Sequence, residues 1–546
     1  MWIFKKYKFL KNRTNKFDPS EIISLKELKH DYIKVFENFI KNKKIKYGYK
    51  LYIDQRELLN KYQLLRENEY IFKEIYKRKK IFILGSQEIY LSELVNIACK
   101  KRGVFLIDIQ YIKKSIIDFS SFFTKLILNI VSIFIITYKK INNKNTSYMI
   151  IHTSNNVDKN LKCDLRIGNL IKSLEEEEKD LVFFIRTTHG PLKLIKNFFK
   201  RKHICIFTDA IVKAIQNYVV FLKLFKKERF LKKTNYNYDN FIDDILFYDF
   251  FNRIDSIEKN ILIFKFIFKT LNSFFYIGDN DERRIMELIS ANKFGLKTIW
   301  FQNGTEFEFY MINKFVKSND KNINLLSHKE FYVWNDFWMN YFINKSDLYS
   351  TKNTFSAGYF RDDRIKKVNP RIHKNFVNKS RRILWLVENI NYVNDIFLYA
   401  KVLIENEYYI TFKIRPQQKD ISDNNFQLIL EKIKINKLNM KFVSWTDKSM
   451  KEINYKSYLY AIGSYTTALA DCKINNLDVL FINTKKWGDC YELRSKDYAK
   501  EIFCKDPDDL IKKIKSNKNQ KCQNEILEIL VPKFNPNFIK KIIKSF

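Results

Sequence analysis

The sequence predicts an α/β protein with two Rossmann-like lobes on parallel sheets, preceded by an extra, mainly helical and α/β N-terminal region. Residues 274–306 form a strand, loop, helix and strand pattern, with polar residues where the apolar runs end. Beyond residue 380, apolar runs alternate with helical segments, which is typical of a parallel sheet covered on both faces. A chain of 546 residues is also too long for one compact core.

Two polar tracts divide the chain into three regions. The tract INNKNTS covers residues 141–147, and the tract KKVNPRIHKNFVNKS covers residues 366–380. We therefore expect an N-terminal basic region at 1–145, a middle lobe at 148–370 and a C-terminal lobe at 380–546.

Apolar runs of strand length mark the predicted sheets. In the N-terminal region, a small strand–helix–strand unit is expected at 82–110. In the middle lobe, beside the unit at 274–306, the runs lie at 149–156, 180–187 and 203–209, with a helix at 166–177, and the segments 331–336 and 355–365 follow the unit. In the C-terminal lobe they lie at 381–389, 408–416, 440–445, 459–464 and 478–484. Because helical segments separate them, we expect parallel pairing.

The formal net charge is +38, while Gly (11) and Pro (7) are scarce. Two interpretations stay open: an AT-rich genome placed lysine at tolerant positions, or a basic surface serves an anionic partner such as a membrane or nucleic acid. The basic residues are spread along the chain without a recognisable nucleic-acid module, so we expect no nucleic-acid partner. Hydrophobic residues at 46% exclude a disordered chain.

The cysteines and histidines predict no metal site. Seven cysteines and six histidines are scattered, without a CxxC or a Cys/His cluster at metal spacing. This pattern fits a reducing cytoplasm. The basic N-terminus lacks the apolar core and the cleavage site of a secretory signal, so we expect none.

The best membrane candidate is the segment Phe122 to Tyr138. Its uninterrupted part after Lys125 has 13 residues, fewer than the roughly 20 that span a bilayer. We expect a buried or interfacial helix, with a segment that dips into the membrane as the alternative. The localisation that follows is cytoplasmic, with peripheral contact at the inner face of an anionic membrane as a further expectation.

Three predicted strand ends in the C-terminal lobe carry residues suited to a nucleotide. An arginine at a strand end, aimed by the following proline, can hold a phosphate through two hydrogen bonds. Hydroxyls before a helix, together with its first N–H groups, favour an anion. The alternatives are a surface ion pair for the arginine and plain helix caps for the hydroxyls. The candidate donor-binding residues are Glu388, Arg415, Pro416, Ser464, Thr466 and Thr467.

Polar loops also follow the two strands of the central unit. The carboxyl ends of parallel strands face the ligand crevice of a doubly wound sheet, so these loops are where chemistry is expected. The candidates are Asp279, Asp281, Gln302, Asn303 and Gly304. Asp279 would alternatively cap the following helix, and both roles can hold at once.

The order of these segments resembles a known family. The chain has IGDND and QNG around the central helix, then VWND, AGYFRDDRI, KIRP and GSYTTALAD. This order is similar to that of bacterial surface-carbohydrate transferases of the two-lobed glycosyltransferase B (GT-B) architecture, including the capsule-synthesis and CDP-glycerol glycerophosphotransferase-like families. Their usual segments are Q-H-G, V-W-G, G-N-P-R-x-D, H-P and S-S/T-x-x-x-E-A. The resemblance covers about residues 148–500 and rests on order and spacing, since each motif alone is weak.

The resemblance implies a role for each matching position. On the donor side, the H-P dipeptide corresponds to Arg415-Pro416, the phosphate-binding hydroxyls to Ser464, Thr466 and Thr467, and the acidic residue that holds the ribose to Asp471. On the acceptor side, the Q-H-G segment corresponds to Gln302-Asn303-Gly304, and the turn before the linker to Gly358 through Asp363. The implied donor is a nucleotide-activated sugar or polyol.

Two departures from the family pattern bear on catalysis. Asn303 replaces a histidine, and an amide cannot accept a proton as a general base. Arg415 replaces the second histidine, which keeps the phosphate contact but removes proton exchange. The expected base is therefore a carboxylate, Asp279 or Asp281, with further candidates in Glu306 and Glu308. No DxD-like pair stands at the donor site, so no metal and no cofactor is expected.

The sequence therefore predicts a metal-independent glycosyltransferase, or polyol-phosphate transferase, that uses a surface-polysaccharide or lipid-linked acceptor. Three alternatives stay open. A nucleotide-sugar epimerase of the same fold would convert donor without an acceptor. A non-enzymatic, basic nucleic-acid-binding or membrane-binding protein would explain the charge, and a catalytically dead scaffold would explain the missing histidines.

Overall fold

The computed structural model describes most of the helices and strands of the chain. The described residues are 8–11, 61–62, 64–66, 68–77, 80–84, 89–142, 147–153, 168–186, 190–200, 203–225, 238–278, 285–302, 323–346, 348–358, 381–387, 393–414, 419–464, 466–485, 488–489, 493, 500–516 and 542.

The described strands form three parallel sheets. The N-terminal sheet has the order β1-β2-β3, with β1 (Lys8–Lys11), β2 (Lys80–Leu84) and β3 (Phe105–Asp108). The middle sheet contains β4 (Met149–Thr153), β5 (Leu181–Ile185), β6 (Ile204–Phe207), β7 (Phe275–Ile277), β8 (Lys297–Phe301), β9 (Glu330–Val333) and β10 (Thr354–Ser356). The C-terminal sheet contains β11 (Arg382–Leu386), β12 (Tyr409–Lys413), β13 (Val443–Thr446), β14 (Tyr460–Gly463), β15 (Asp478–Ile482) and β16 (Phe503–Cys504).

Helices connect the strands and cover the sheets. The N-terminal region and the approach to the middle sheet hold α1 (Glu69–Lys77), α2 (Ile89–Arg102) and α3 (Ile109–Asn142). The middle sheet is accompanied by α4 (Gly168–Glu176), α5 (Pro191–Lys200), α6 (Thr208–Phe225), α7 (Tyr238–Thr270), α8 (Ile285–Phe294) and α9 (Asp336–Lys345). The C-terminal sheet is accompanied by α10 (Val393–Glu405), α11 (Lys419–Ile435), α12 (Ala468–Ile474) and α13 (Pro507–Ser516).

The two large sheets share one topology. The middle sheet has the order β10-β9-β8-β7-β4-β5-β6, and the C-terminal sheet has the order β13-β12-β11-β14-β15-β16. In both, the chain adds strands outward on one side of its first strand and then returns to add the rest on the other side. This is the doubly wound arrangement, whose ligands bind beside the strand pair where the order reverses. The switch points are therefore β4/β7 in the middle sheet and β11/β14 in the C-terminal sheet.

Both faces of the middle sheet are buried because successive side chains point to opposite sides. Ile150, Phe184 and Tyr276 belong to a large apolar cluster that continues through the C-terminal lobe. Ile151 and Phe183, one position away, belong to a second cluster under α3, α4 and α5. The strands are therefore nearly continuous apolar runs, which is why their sequence shows no alternation.

The N-terminal region is attached to the long helix α7 of the middle lobe. Lys61 is buried and its Nζ lies 2.9 Å from the Asp249 carboxylate, and Lys101 lies 3.0 Å from Asp244. Arg102 of α2 stacks on the Tyr76 ring and donates a 2.7 Å hydrogen bond to the Tyr76 carbonyl. This region thus has its own small α/β unit and contacts the middle lobe through α7.

The predicted fold class is confirmed. Every strand predicted in the two lobes is present, and most are shorter than the apolar run from which they were predicted. Three strands were not predicted: β1 lies in a lysine-rich segment, β10 has three residues before the predicted turn, and β16 has only two residues. The proposed region boundaries near residues 145 and 370–380 stay predictions.

The expectation for the segment Phe122 to Tyr138 needs a correction in extent and burial. It lies inside the 34-residue helix α3, of which the part Phe119–Asn142 is long and apolar enough, by length and composition, to cross a membrane. Only 33% of the most apolar part is buried, so α3 is not a core helix.

Candidate functional site

The predicted donor residues follow three neighbouring strands of the C-terminal sheet. β12, β11 and β14 are adjacent and parallel, so their carboxyl ends lie at one edge, beside the switch point. The described residues at those ends are Ile414, Val387 and Ser464. The sequence continues from them into Arg415-Pro416, Glu388 and the hydroxyl segment, as predicted. Glu388, Arg415 and Pro416 themselves lie outside the described residues.

The hydroxyl segment connects β14 to the short helix α12. Ser464, the residue that follows Gly463 at the end of β14, is buried. The Thr466 hydroxyl accepts a 3.3 Å hydrogen bond from the Ala468 N–H, which supports the capping alternative for that residue. Thr467 occupies the N-cap position, and its side chain makes no capping hydrogen bond. Thr466 is therefore the residue of this segment whose hydroxyl contacts the first turn of the helix.

Two further polar residues of this lobe are buried near the same edge. Lys413, the last residue of β12, is 7% exposed, and its Nζ donates a 2.5 Å hydrogen bond to the Ile414 carbonyl. Asp471 lies in the first turn of α12 and is 8% exposed. Burial raises the pKa of the neighbouring Cys472 thiol, and the Asp471 charge raises it further. The chain thus buries a cation and a carboxylate near the predicted nucleotide position.

The predicted acceptor-side loops leave from the switch point of the middle sheet and from the strand beside it. Gly278 follows β7, and its N–H donates a 3.0 Å hydrogen bond to the Ile299 carbonyl of β8. A Cβ at Gly278 would lie 2.7 Å from the Tyr276 ring, so glycine is what allows that ring its position. Asp279 and Asp281 belong to the six-residue connection from Gly278 to α8, which lies outside the described residues.

The structure describes two of the predicted acceptor-side residues: Gly358, which opens the predicted turn with a φ of +93°, and Gln302. Gln302 is buried at the end of β8, and its Oε1 accepts a 3.0 Å hydrogen bond from the Trp334 N–H. The Trp334 indole donates a 2.9 Å hydrogen bond back to the Gln302 carbonyl. Gln302 therefore fixes the start of the following loop to β9. The other predicted residues, Asn303, Gly304, Glu306 and Asp363, lie outside the described residues, as does Glu308.

Sequence reasoning missed a buried polar network at the middle switch point. Its four members are His152 in β4, Arg186 just after β5, Tyr276 in β7 and Glu287 in the first turn of α8. The Glu287 Oε2 lies 2.7 Å from His152 Nδ1 and accepts a 3.1 Å hydrogen bond from the Tyr276 hydroxyl. An Arg186 guanidinium nitrogen lies 3.5 Å from the Glu287 Oε1. We call these four residues the His152–Glu287 network.

The four side chains meet because of strand register. Residues 152, 184, 186 and 276 point to the same face of the sheet, which α7 and α8 cover. The Glu287 side chain has no exposed area and the His152 side chain has none, while Arg186 is 17% exposed. The network therefore joins four elements near the carboxyl edge of the sheet.

The charge of Glu287 is maintained by its neighbours. Burial by itself would raise the pKa of this carboxyl, since charge is poorly solvated in the interior. The attraction and hydrogen bond of His152 and the attraction of Arg186 outweigh burial and hold the pKa below its usual value. An ionised carboxylate only accepts, so His152 Nδ1 carries the proton of their shared hydrogen bond. The other ring nitrogen of His152, Nε2, is therefore the one left to interact with a different group.

The signal for this network was in the sequence. The runs MIIHT, LVFFIR and ICIFTD each end in a polar residue, as did the two strands whose loops were selected. Glu287 interrupts the otherwise apolar face of IMELIS, where an acid is rarely buried without a partner. Applying the strand-end argument to β4 and β5 would have found His152 and Arg186.

Within the described part of the chain, no group of three or more His, Cys, Asp or Glu side chains is placed to hold a metal ion. The four described cysteines, 99, 205, 472 and 504, are buried free thiols. Burial raises the pKa of the Cys99 thiol to about 12, so it is not a nucleophile at neutral pH.

No family model matches the chain, and no curated protein is similar to it. Solved structures are similar in fold. A glycosyltransferase from Rickettsia africae ESF-5 is 12% identical, with a TM-score of 0.43, and the match covers 73% of this chain and 98% of that one. The S. aureus MnaA–UDP co-structure gives 10% identity, a TM-score of 0.43, and 73% and 95% coverage. The UDP-GlcNAc 2-epimerase from Neisseria meningitidis bound to UDP-GlcNAc gives 10% identity, a TM-score of 0.39, and 73% and 99% coverage. Likeness at this level carries no argument about function.

Proposed function

We propose that this protein is a glycosyltransferase, or a polyol-phosphate transferase, that moves a group from a nucleotide-activated donor to a surface-polysaccharide or lipid-linked acceptor. One observation carries the proposal. The three segments predicted from sequence to bind the donor follow β12, β11 and β14, which are the strands at the switch point of a doubly wound sheet. That edge is where such sheets bind nucleotides.

In the proposed site, the C-terminal lobe binds the donor. Arg415 holds the phosphates through its planar guanidinium, and Ser464, Thr466 and Thr467 add hydroxyl and backbone contacts. Asp471 and Glu388 hold the ribose or base. These groups would stabilise the negative charge that develops on the leaving phosphate, which is the main task of a transferase without a metal.

The middle lobe would present the acceptor. Asp279 and Asp281 are the proposed bases, and both ends of their six-residue connection lie at the middle switch point. The His152–Glu287 network includes residues of β7 and α8, the two elements that the connection joins, and it places buried charge there. A carboxylate in this position would take the proton from an acceptor hydroxyl as the donor bond breaks.

The test is ligand-induced thermal stabilisation, followed by turnover. The purified protein is heated with CMP, CDP, UDP, GDP and their sugar or polyol conjugates. A ligand at 100 times its Kd stabilises the folded state by about 2.7 kcal/mol, which shifts Tm visibly. We expect one nucleotide base to stabilise the wild type and to lose at least tenfold in affinity with Arg415→Ala.

The matched control is Arg381→Ala. Arg381 is a half-exposed arginine of the same lobe that pairs with Glu407 on the surface, so its removal should leave the nucleotide effect unchanged. Conversion of the donor without any acceptor would indicate the epimerase alternative. An unchanged kcat/KM in Arg415→Ala would remove this residue from the site, and no response to any nucleotide would contradict the proposal.

A further inference from the structure

The helix α3 has its polar side toward the protein and its apolar side outward. Four of its buried residues are polar and recur at helical spacing: Ser121, Lys125, Asn129 and Ser132. A helix on the surface of a water-soluble domain has the opposite arrangement, with the apolar stripe against the core. The polar inner side and the apolar outer side of α3 therefore each need an explanation.

The cause on the inner side is the edge of the middle sheet. β6 is the last strand at that edge, and an edge strand leaves backbone groups without a ladder partner. Asn129 accepts a 2.7 Å hydrogen bond from the Phe207 N–H and donates a 3.1 Å one to the Phe207 carbonyl. Ser132 donates a 2.6 Å hydrogen bond to the Cys205 carbonyl, and Lys125 pairs with Asp209 at the strand end. The polar side chains of α3 thus form hydrogen bonds to β6 that a further strand would otherwise form.

The outer side of α3 is apolar over about six turns. Ile127 is 60% exposed and Phe134 is 71% exposed, although both are side chains that normally avoid water. The full set of large exposed apolar residues in this helix is Phe119, Phe123, Ile127, Ile130, Ile133, Phe134, Ile135, Tyr138 and Ile141.

Two threonine hydroxyls of this helix are satisfied by its own backbone. The exposed Thr137 donates a 2.9 Å hydrogen bond to the Ile133 carbonyl, and Thr124 donates one of the same length to the Ser120 carbonyl. In this geometry a hydroxyl needs no water, which is what a nonaqueous surrounding requires.

The neighbouring helix α5 extends this surface. Leu194 and Phe198 turn inward and join Leu128 of α3 in the same apolar cluster, so the two helices lie side by side in one layer. Leu192, Ile195 and Phe199 point outward and are exposed. We call the outward residues of both helices the α3–α5 surface.

Within residues 119–142 and 191–200 every charged residue is a lysine, and the acid of α3 nearest to them is Asp118. Five lysines with exposed or half-exposed side chains accompany the apolar residues: Lys139, Lys140, Lys193, Lys196 and Lys200. Apolar side chains together with lysines and without acids match a bilayer surface with anionic headgroups.

We propose that the α3–α5 surface docks in the plane of a membrane that contains anionic lipid. The apolar side chains enter the boundary between headgroups and acyl chains, and the lysines contact the phosphates. The helix does not cross the bilayer, because crossing would take Lys125, Asn129 and Ser132 away from the edge strand and into hydrocarbon. This inference is independent of the proposed transferase activity.

Vesicle flotation with the full chain tests the proposal. Vesicles of phosphatidylcholine alone are compared with vesicles of phosphatidylcholine and phosphatidylglycerol, without any nucleotide. We expect binding to the mixed vesicles that weakens at high salt. The double variant Ile127→Glu with Phe134→Glu should lose at least tenfold in partitioning, because it places two charges at the centre of the surface.

The matched control is the double variant Leu398→Glu with Ile435→Glu. Both residues are exposed apolar side chains of the C-terminal lobe, 54% and 78% exposed, so the control introduces equal charge at equal exposure elsewhere. It should float like the wild type. A second variant, Lys193→Glu with Lys196→Glu, should weaken binding to the anionic vesicles alone while the Tm stays unchanged.

Three outcomes would overturn the proposal. Wild type that floats with neither vesicle shows that lipid is not the occupant. A stable dimer that Ile127→Glu with Phe134→Glu dissociates shows that a second copy covers the surface. Bound protein that resists extraction at alkaline pH shows a spanning helix instead of one that lies in the plane.

Discussion

The middle and the C-terminal sheets have the same strand order but differ in what they place at the switch point. In the middle sheet, the His152–Glu287 network lies near the carboxyl ends of the paired strands β4 and β7, and its central carboxylate has no exposed area. In the C-terminal sheet, the strands around β11/β14 end in a glycine, hydroxyls and backbone N–H groups. The middle sheet therefore buries an ionic network at its switch point, whereas the C-terminal sheet has a glycine and hydroxyl residues there.

The largest expected effect of a single substitution is at Glu287. Glu287→Ala removes the anion that His152, Tyr276 and Arg186 share, and breaking a buried ionic group from one side costs about 3–5 kcal/mol. Urea-induced unfolding measures it. The control is Glu405→Ala, whose carboxylate pairs with Lys401 at 3.8 Å on the surface, and it should change stability by less than about 0.5 kcal/mol. Equal effects in the two variants would contradict a structural role of the network.

The same carboxylate predicts how stability depends on pH. The pKa of Glu287 is lower in the folded state than its usual 4.5, so the unfolded chain binds more protons as the pH falls. Its contribution is fully present above pH 4.5 and is lost as the pH falls through the folded pKa. The urea midpoint of wild type should therefore drop more steeply below pH 4.5 than that of Glu287→Gln. Parallel curves for the two proteins would contradict the assignment.

A smaller effect is expected at the covered edge of the middle sheet. Asn129→Ala leaves the Phe207 N–H and carbonyl without their side-chain partner in a buried place, at a cost of about 1–3 kcal/mol. Thr137→Ala, on the outer side of the same helix, removes only a local hydrogen bond and serves as the control. In the C-terminal sheet, the edge strand β13 keeps two exposed side chains, Ser444 and Trp445, and the edge strand β16 receives a 2.8 Å hydrogen bond from Lys513 of α13 to the Phe503 carbonyl. If Asn129→Ala left the free energy of unfolding unchanged, the edge at β6 would gain no stability from α3 and would not differ from the edge at β13.

The smallest effect on stability, and the largest on ligand binding, is expected at the donor side. Ser464→Ala removes one hydroxyl at the end of β14 and should change the free energy of unfolding by no more than about 1 kcal/mol. It should nevertheless reduce the stabilisation that the preferred nucleotide gives to wild type. A nucleotide shift equal to that of wild type would assign Ser464 to structure alone and would remove the contrast with the middle lobe.

Much of the fold was predictable because parallel strands buried on both faces appear as apolar runs. MIIHT, LVFFI and RILWL each became a strand at the expected place. β1 was not predictable, since the lysines of KFLK hide its apolar residues and its pairing depends on β2, about seventy residues away. β16 was too short to show any period.

The candidate site was predictable in position but not in composition. The strand-end argument selected donor segments that follow β11, β12 and β14, and these strands are neighbours in the sheet; the role of the segments stays a prediction. It did not reveal that His152 and Glu287, 135 residues apart, meet in the interior, because that contact depends on how α8 lies on the sheet. The polarity of α3 was equally hidden: its hydropathy alone cannot tell which side faces β6.

The cover of the edge strand also has a consequence for synthesis. Residues 121–132 of α3 leave the ribosome before residues 204–209, which they will protect. When β6 joins the growing sheet, the side chains that occupy its outer backbone groups already exist on the same chain. The edge is therefore closed as it forms, which shortens the interval in which another nascent chain could add a strand to it.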